Sequence, residues 1–222
     1  MAYRYRVLAL DHDDTTVRST PEINWPAFVD TLEHLRPDVK YTYEEFFGLC
    51  FEPGFDDLCR KILKLDEDEM KFEVENWRRF QDRTVPTACD GIGDVIDGAR
   101  SRGIILAVVS HSVRAGIERD WLANFGILPD LIYDWDDDPS KRKPSPYPLF
   151  DIARRAGCRV SDILVVDDLK HGFDMAAAAG ADFAYAGWSG GTPAIAEFMK
   201  NNAKYCFGSP ADLGEVIFDG WK

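Results

Sequence analysis

The chain has 222 residues, 45% of them apolar, enough for one full hydrophobic core and a small second lobe. Six Trp, eight Tyr and fourteen Phe supply burial that offsets chain entropy, which excludes a disordered tail or linker. A formal net charge of −13, spread along the chain, disfavours counterion-release binding to nucleic acid and adsorption to anionic membrane surfaces.

Taken in chain order, Val7-Leu8-Ala9-Leu10 is a short apolar run that ends in a carboxylate cluster, the pattern of a strand buried on both faces. The stretch before it is too short for a signal-peptide core, and no apolar run approaches a membrane span, so a cytoplasmic location is expected. From about residue 19 to about residue 86 the period changes. Met70, Val74, Trp77 and Phe80 or Gln81 recur at helical spacing, and Asp66 with Glu69 three residues on reads as an N-cap and its partner. His34 in this stretch is expected to pack or cap.

A second apolar run, Ile104 to Val109, stops at Ser110, His111 and Ser112, and Val113, Ile117, Trp121 and Phe125 then continue at helical steps. Asp134 to Asp138 lacks the glycine and terminal Glu of an EF-hand loop and reads as a solvated acidic loop. Lys141 to Pro146 is basic and proline-stiffened. A third run, Ile163 to Val166, ends at Asp167 and Asp168 and leads into an Ala-rich helix stopped by Gly180. Gly91-Ile92-Gly93 follows no strand and has Ile96 where a dinucleotide fingerprint needs its third glycine. The cysteines, Cys50, Cys59, Cys89, Cys158 and Cys206, form no CxxC and are expected to be buried, reduced thiols.

Strand, polar tip and helix repeat as a unit, which predicts an α/β fold: a doubly wound, Rossmann-like parallel sheet, here with a small helical cap domain. Residues 1–18 and 86–222 form the expected core and residues 19–85 the cap. In such a sheet the loops at the carboxyl ends of the strands meet at one edge. Asp11, Asp13 and Thr15, then Ser110 to Ser112, then Lys143, then Asp167 and Asp168 should therefore converge. Four carboxylates in one pocket repel unless pKa values rise or a cation binds, and hard oxygen ligands with room for phosphate suit Mg²⁺. Alone, Asp11 and Asp13 would read as a strand-end turn, Ser110 as a loop hydroxyl and Lys143 as a solvated side chain. Their order and context carry the reading.

This pattern resembles the haloacid dehalogenase superfamily, in particular its phosphatases with a helical cap inserted after the first strand. The resemblance runs from Val7 to Gly180 and covers Asp11-His12-Asp13-Asp14-Thr15, Ser110, Lys143 before Pro144, and Asp167-Asp168. It implies an Mg²⁺-dependent phosphoric monoester hydrolase acting on a small phosphorylated metabolite. Asp11 would be the nucleophile that becomes an aspartyl-phosphate, and Asp13 the general acid and base. Ser110 and Lys143 would bind the phosphoryl group, and His111 and Arg114 would contact substrate. Asp11, the backbone carbonyl of Asp13, Asp168 and Asp167 would hold the metal.

Family dehalogenases lack an acid at the position of Asp13, which favours phosphoryl transfer. A phosphomutase on the same scaffold is the alternative. A receiver-like phospho-switch places its acidic pair after the first strand and has no helical insertion there. Two positions depart from the common pattern: Asp14 stands where Gly is usual, and Gly172 where many relatives carry a third acid, with Asp174 near it but out of register. His12 and His171 adjoin the motifs without an assigned role. Phe51-Glu52-Pro53-Gly54-Phe55 is the expected specificity loop, since a cap over the site selects small leaving groups.

Overall fold

The computed structural model describes residues 4–218. Six strands form one sheet: β1 (Val7–Leu10), β2 (Ile105–Val109), β3 (Leu131–Tyr133), β4 (Ile163–Asp167), β5 (Asp182–Ala186) and β6 (Tyr205–Phe207). Every pairing is parallel and the order is β3-β2-β1-β4-β5-β6. The chain steps outward from β1 in one direction and from β4 in the other. The crevice above the carboxyl ends of β1 and β4 is therefore the topological switch point, where such sheets bind ligands.

Alternation along the strands sends side chains to two separate cores. Leu8, Leu10, Leu106, Val108, Leu164 and Val166 face α5 (Ile92–Ser101), α6 (Arg114–Phe125) and α10 (Pro210–Phe218). Val7, Ala9, Ala107, Val109, Ile163 and Val165 face α7 (Tyr147–Ala156), α8 (Lys170–Ala179) and α9 (Pro193–Asn202). Cover on both faces explains why these strands read as unbroken apolar runs. Full burial of each Leu or Val is worth about 1.5–3 kcal/mol. Helix α8 ends at Gly180, whose φ of 75° closes the last turn in the left-handed conformation.

Between β1 and α5 lie α1 (Trp25–Leu35), α2 (Tyr43–Phe51), α3 (Phe55–Asp57) and α4 (Glu67–Arg83), with π-helical turns at Thr20–Asn24 and Leu58–Ile62. The capping box expected at Asp66 is present: its side chain accepts from the Glu69 amide, and Glu69 accepts from the Asp66 amide. These helices enclose a third apolar cluster, Phe28, Leu32, Phe46, Leu58, Cys59, Leu63, Leu65 and Met70. Phe47 and Phe51 of α2 instead join the core beneath the sheet.

Two expectations are corrected. The acidic stretch is not uniformly solvated, because Asp134, directly after β3, is buried and pairs with Arg114 at 2.6 Å. All five cysteines are free, but only Cys59 and Cys89 are buried, and Cys206 is exposed. The edge strand β3 falls within a stretch that carried no strand signal. Among the described residues no helix is long and apolar enough to cross a membrane.

Candidate active site

The end of β1 is fastened to β4: the Asp11 amide donates to the Val166 carbonyl at 2.8 Å. The chain then turns back at once, with the Asp14 amide donating to the Val17 carbonyl at 2.7 Å. Asp14 takes φ 57°, the left-handed conformation that Gly usually supplies and Asp is among the few side chains to tolerate. Burial pushes its carboxyl up to about 7, and it accepts the Thr20 amide at 3.0 Å. The departure at position 14 thus leaves the loop intact.

Lys143 is buried between two carboxylates, donating to Asp11 Oδ1 at 2.6 Å and Asp167 Oδ2 at 2.7 Å. Asp11, Asp167 and Asp168 present ligand atoms within 4.8 Å of one another. One cation among three buried carboxylates leaves negative charge in excess. Burial is the main reason the Asp11 and Asp168 carboxyls are held well above the usual range; the neighbouring carboxylates add to it, and Lys143 opposes it. Burial by itself would lower the Lys143 pKa, but the two carboxylates outweigh it and keep the amine charged.

Both Asp167 oxygens are engaged, one by Lys143 and the other by the Leu169 amide at 2.8 Å. Asp168 Oδ1, by contrast, is buried without a hydrogen-bond partner among the described residues. An orphaned, buried carboxylate oxygen beside two more carboxylates fits a hard divalent cation such as Mg²⁺. Gly172 explains the second departure: a Cβ there would lie 2.1 Å from Asp167 Oδ2, so Asp167 fills the space a side chain at 172 would need.

The Asp13 side chain stands apart from that cluster. Its carboxylate accepts from Ser112 Oγ at 2.7 Å, from Ser110 Oγ at 3.2 Å and from Ser19 Oγ. Burial alone would raise its pKa, but the adjoining His12 ring and the Ser19 and Ser112 hydroxyls outweigh it and hold the carboxyl below the usual range. Ser19 and the role of Ser112 escaped the sequence reading. For Ser19 the only signal was a hydroxyl six residues after Asp13.

Of the remaining candidates, His111 comes to the site and Arg114 does not. The His111 Nε2 pairs with the Lys143 carbonyl at 2.9 Å, which makes it the donor nitrogen. Arg114 is tied to Asp134, to the Ile132 carbonyl at 2.9 Å and to Glu118 at 3.9 Å, along the β3 side of α6. His12 turns inward to Asp120 at 3.2 Å, a buried structural pair. His34 bonds the Asp30 carbonyl at 2.8 Å and packs on Phe72, as expected for a packing residue.

A family model described as a hydrolase, haloacid dehalogenase-like, matches residues 5–180. Among curated protein sequences none matches the chain. Solved structures similar to it include a point variant of CbbY from Rhodobacter sphaeroides, in complex with xylulose-(1,5)bisphosphate, at 21% identity and TM-score 0.74 over 95% of this chain and 96% of that one. Another is a haloacid dehalogenase family hydrolase from Deinococcus radiodurans with bound phosphate and sodium, at 17% identity and TM-score 0.72 over 98% and 97%. A third, a haloacid dehalogenase-like protein from Agrobacterium tumefaciens, gives 19% identity and TM-score 0.77 over 98% and 100%. At these identities the structures speak for the fold, and the family model covers most of the chain. With its motif residues gathered at the switch point, the chain belongs to the haloacid dehalogenase-like hydrolase family.

Proposed function

We propose that this chain is an Mg²⁺-dependent phosphatase that hydrolyses a small phosphorylated metabolite through a covalent aspartyl-phosphate on Asp11. The observation that carries the reading is the sharing of Lys143 by Asp11 and Asp167, with Asp168 alongside. Asp11, the Asp13 carbonyl and Asp168 would hold the metal, and Asp167, already bonded at both oxygens, would support it from behind. Bound there, the cation neutralises carboxylate and phosphate charge and polarises the phosphoryl group.

The protein's own groups do the rest. Asp11 attacks phosphorus in line, while Lys143 offsets the charge of both partners. Ser110 and the amides that open α6 bind phosphoryl oxygens. Asp13, ionised in the resting site, takes up a proton as the anionic substrate arrives beside it; it gives that proton to the leaving alkoxide and then takes one from the water that cleaves the acyl-phosphate, as microscopic reversibility requires. Its three serine partners can hold it in place in either protonation state, because hydroxyls both donate and accept. Residues 19–85 act as the cap that closes over the leaving group and excludes water.

A panel of phosphate monoesters assayed with Mg²⁺ and with chelator tests this. Inorganic phosphate release that depends on Mg²⁺ is the expected result. Transfer of the phosphoryl group to a second hydroxyl would instead mark a phosphomutase, and turnover that persists in chelator would remove the metal from the reading.

A further inference from the structure

His171, in the first turn of α8, has no part in the chemistry described above, yet it stands between the helical segment and the core. Gly54 of the segment lies so close that a Cβ there would be 2.9 Å from His171 Cε1 and 3.3 Å from Nε2. Gly54 also has φ 101°, which side-chain-bearing residues rarely adopt, so only glycine permits this approach without strain. On its other side the His171 ring meets His111 edge to face, with ring centroids 5.4 Å apart. His111 in turn abuts Trp135 at 5.7 Å. Two imidazoles and an indole thus form a chain of contacts that reaches Gly54 of the segment at one end and, through His111, the Lys143 carbonyl of the site.

We infer that His171 is a specificity-determining residue: it selects phosphate monoesters with small, uncharged polar leaving groups over those that carry a second anionic group. The inference rests on the phosphatase reading above. Burial and the Lys143 charge hold His171 below the ordinary imidazole range and His111 down at about 3, so both rings are neutral at physiological pH. A neutral imidazole offers one donor and one acceptor, a match for hydroxyl or carbonyl groups. To a carboxylate or second phosphate it gives a single N–H and no charge to offset desolvation.

The cations flanking these motifs are already committed. Lys143 is shared by Asp11 and Asp167, and Lys170 is paired with Asp174 at 2.9 Å. Arg114 is paired with Asp134, and Arg142 donates to the Asp137 carbonyl at 2.8 Å and stacks over Trp135 at 4.1 Å. Arg18 lines a different cavity of about 510 Å³, with Tyr43, Trp188 and Ser209, whose walls include neither His111, Lys143 nor His171. Between Gly54 and His171 there is not room for even a methyl group.

The test compares phosphate release in Mg²⁺ from two esters that differ at one carbon, 2-hydroxyethyl phosphate and 2-phosphoglycolate. The wild-type kcat/KM should favour the hydroxyethyl ester by about tenfold. His171→Lys should shift that ratio by about tenfold toward phosphoglycolate, and His171→Gln, neutral and able to donate and accept, should keep it. A wild-type ratio near one or favouring phosphoglycolate overturns the inference, as does a His171→Lys ratio that does not move. If neither ester nor any other small phosphate monoester of the panel releases phosphate, the phosphatase reading falls, and this inference with it.

Discussion

The sheet and the helical segment at 19–85 use charge in opposite ways. On the segment, ion pairs such as Arg60 with Asp56 and Lys61 with Asp57 lie exposed at 3.0 and 2.7 Å and are worth about 0–1 kcal/mol each. At the carboxyl edge of the sheet, Lys143, Asp11, Asp167 and Asp168 are buried together with carboxylates in excess. Exposed pairs keep a helix solvated and can be exchanged freely. Buried ions persist only where two layers of helices and a paired sheet over-determine their positions, so the buried charges sit at strand ends and the adjustable contacts on the segment.

The largest expected effect breaks the core side of that contrast. Asp11→Asn should lower turnover by about a thousandfold or more, since the amide cannot act as nucleophile. Its unfolding temperature should hold or rise, because one of the repelling carboxylates is gone. A fall in stability that tracks the fall in activity would assign Asp11 a structural role. Next come two leucines. Leu164 in β4 and Leu58 in the segment are both fully buried, so either Leu→Ala change should cost about 2–5 kcal/mol. Leu164→Ala should lower protection from hydrogen exchange across the sheet, whereas Leu58→Ala should lower it in residues 25–83 and spare the strands. Equal loss everywhere would make the chain one cooperative unit.

How far each part was legible follows from the same physics. Strands β1, β2 and β4 lie in the middle of the sheet, and burial on both faces writes them as apolar runs. Edge strands β3 and β6 have three residues each, and β5 reads Asp-Phe-Ala-Tyr-Ala, too short or too mixed to announce a strand without its neighbours. Asp11, Ser110, Asp167 and Asp168 could be placed because each ends or directly follows a central strand, which fixes where its backbone goes. Side-chain direction was not fixed in that way. Arg114 turns to Asp134 and His12 to Asp120, partners that no local pattern connects to them. Gly172 read as a missing acid because the space Asp167 fills is visible only in three dimensions.

Gly172→Ala probes that space directly. The methyl would displace the Asp167 carboxylate and loosen its bond to Lys143, costing about 1–3 kcal/mol, with turnover falling alongside. Calorimetry and phosphate release on the one variant check both, and wild-type values in each would mean that Asp167 has slack the packing does not suggest.

The smallest expected effect belongs to the segment. Glu73 in α4 is buried, and burial alone pushes its carboxyl up to about 7 from an ordinary 4.5. Between those values the folded chain binds more protons at this site than the unfolded chain, so stability falls as pH rises through the window and levels off above it. The shift corresponds to about 3–4 kcal/mol at most, and relaxation with water access brings the expectation to about 1–2 kcal/mol. Glu73→Gln, which keeps the shape and cannot ionise, should flatten the stability profile between about pH 5 and pH 8 and raise stability at the alkaline end. Because Glu73 belongs to the helical segment, hydrogen exchange should locate the gain in residues 25–83. A profile as steep in the variant as in the wild type would transfer the pH dependence to the carboxylates at the sheet edge.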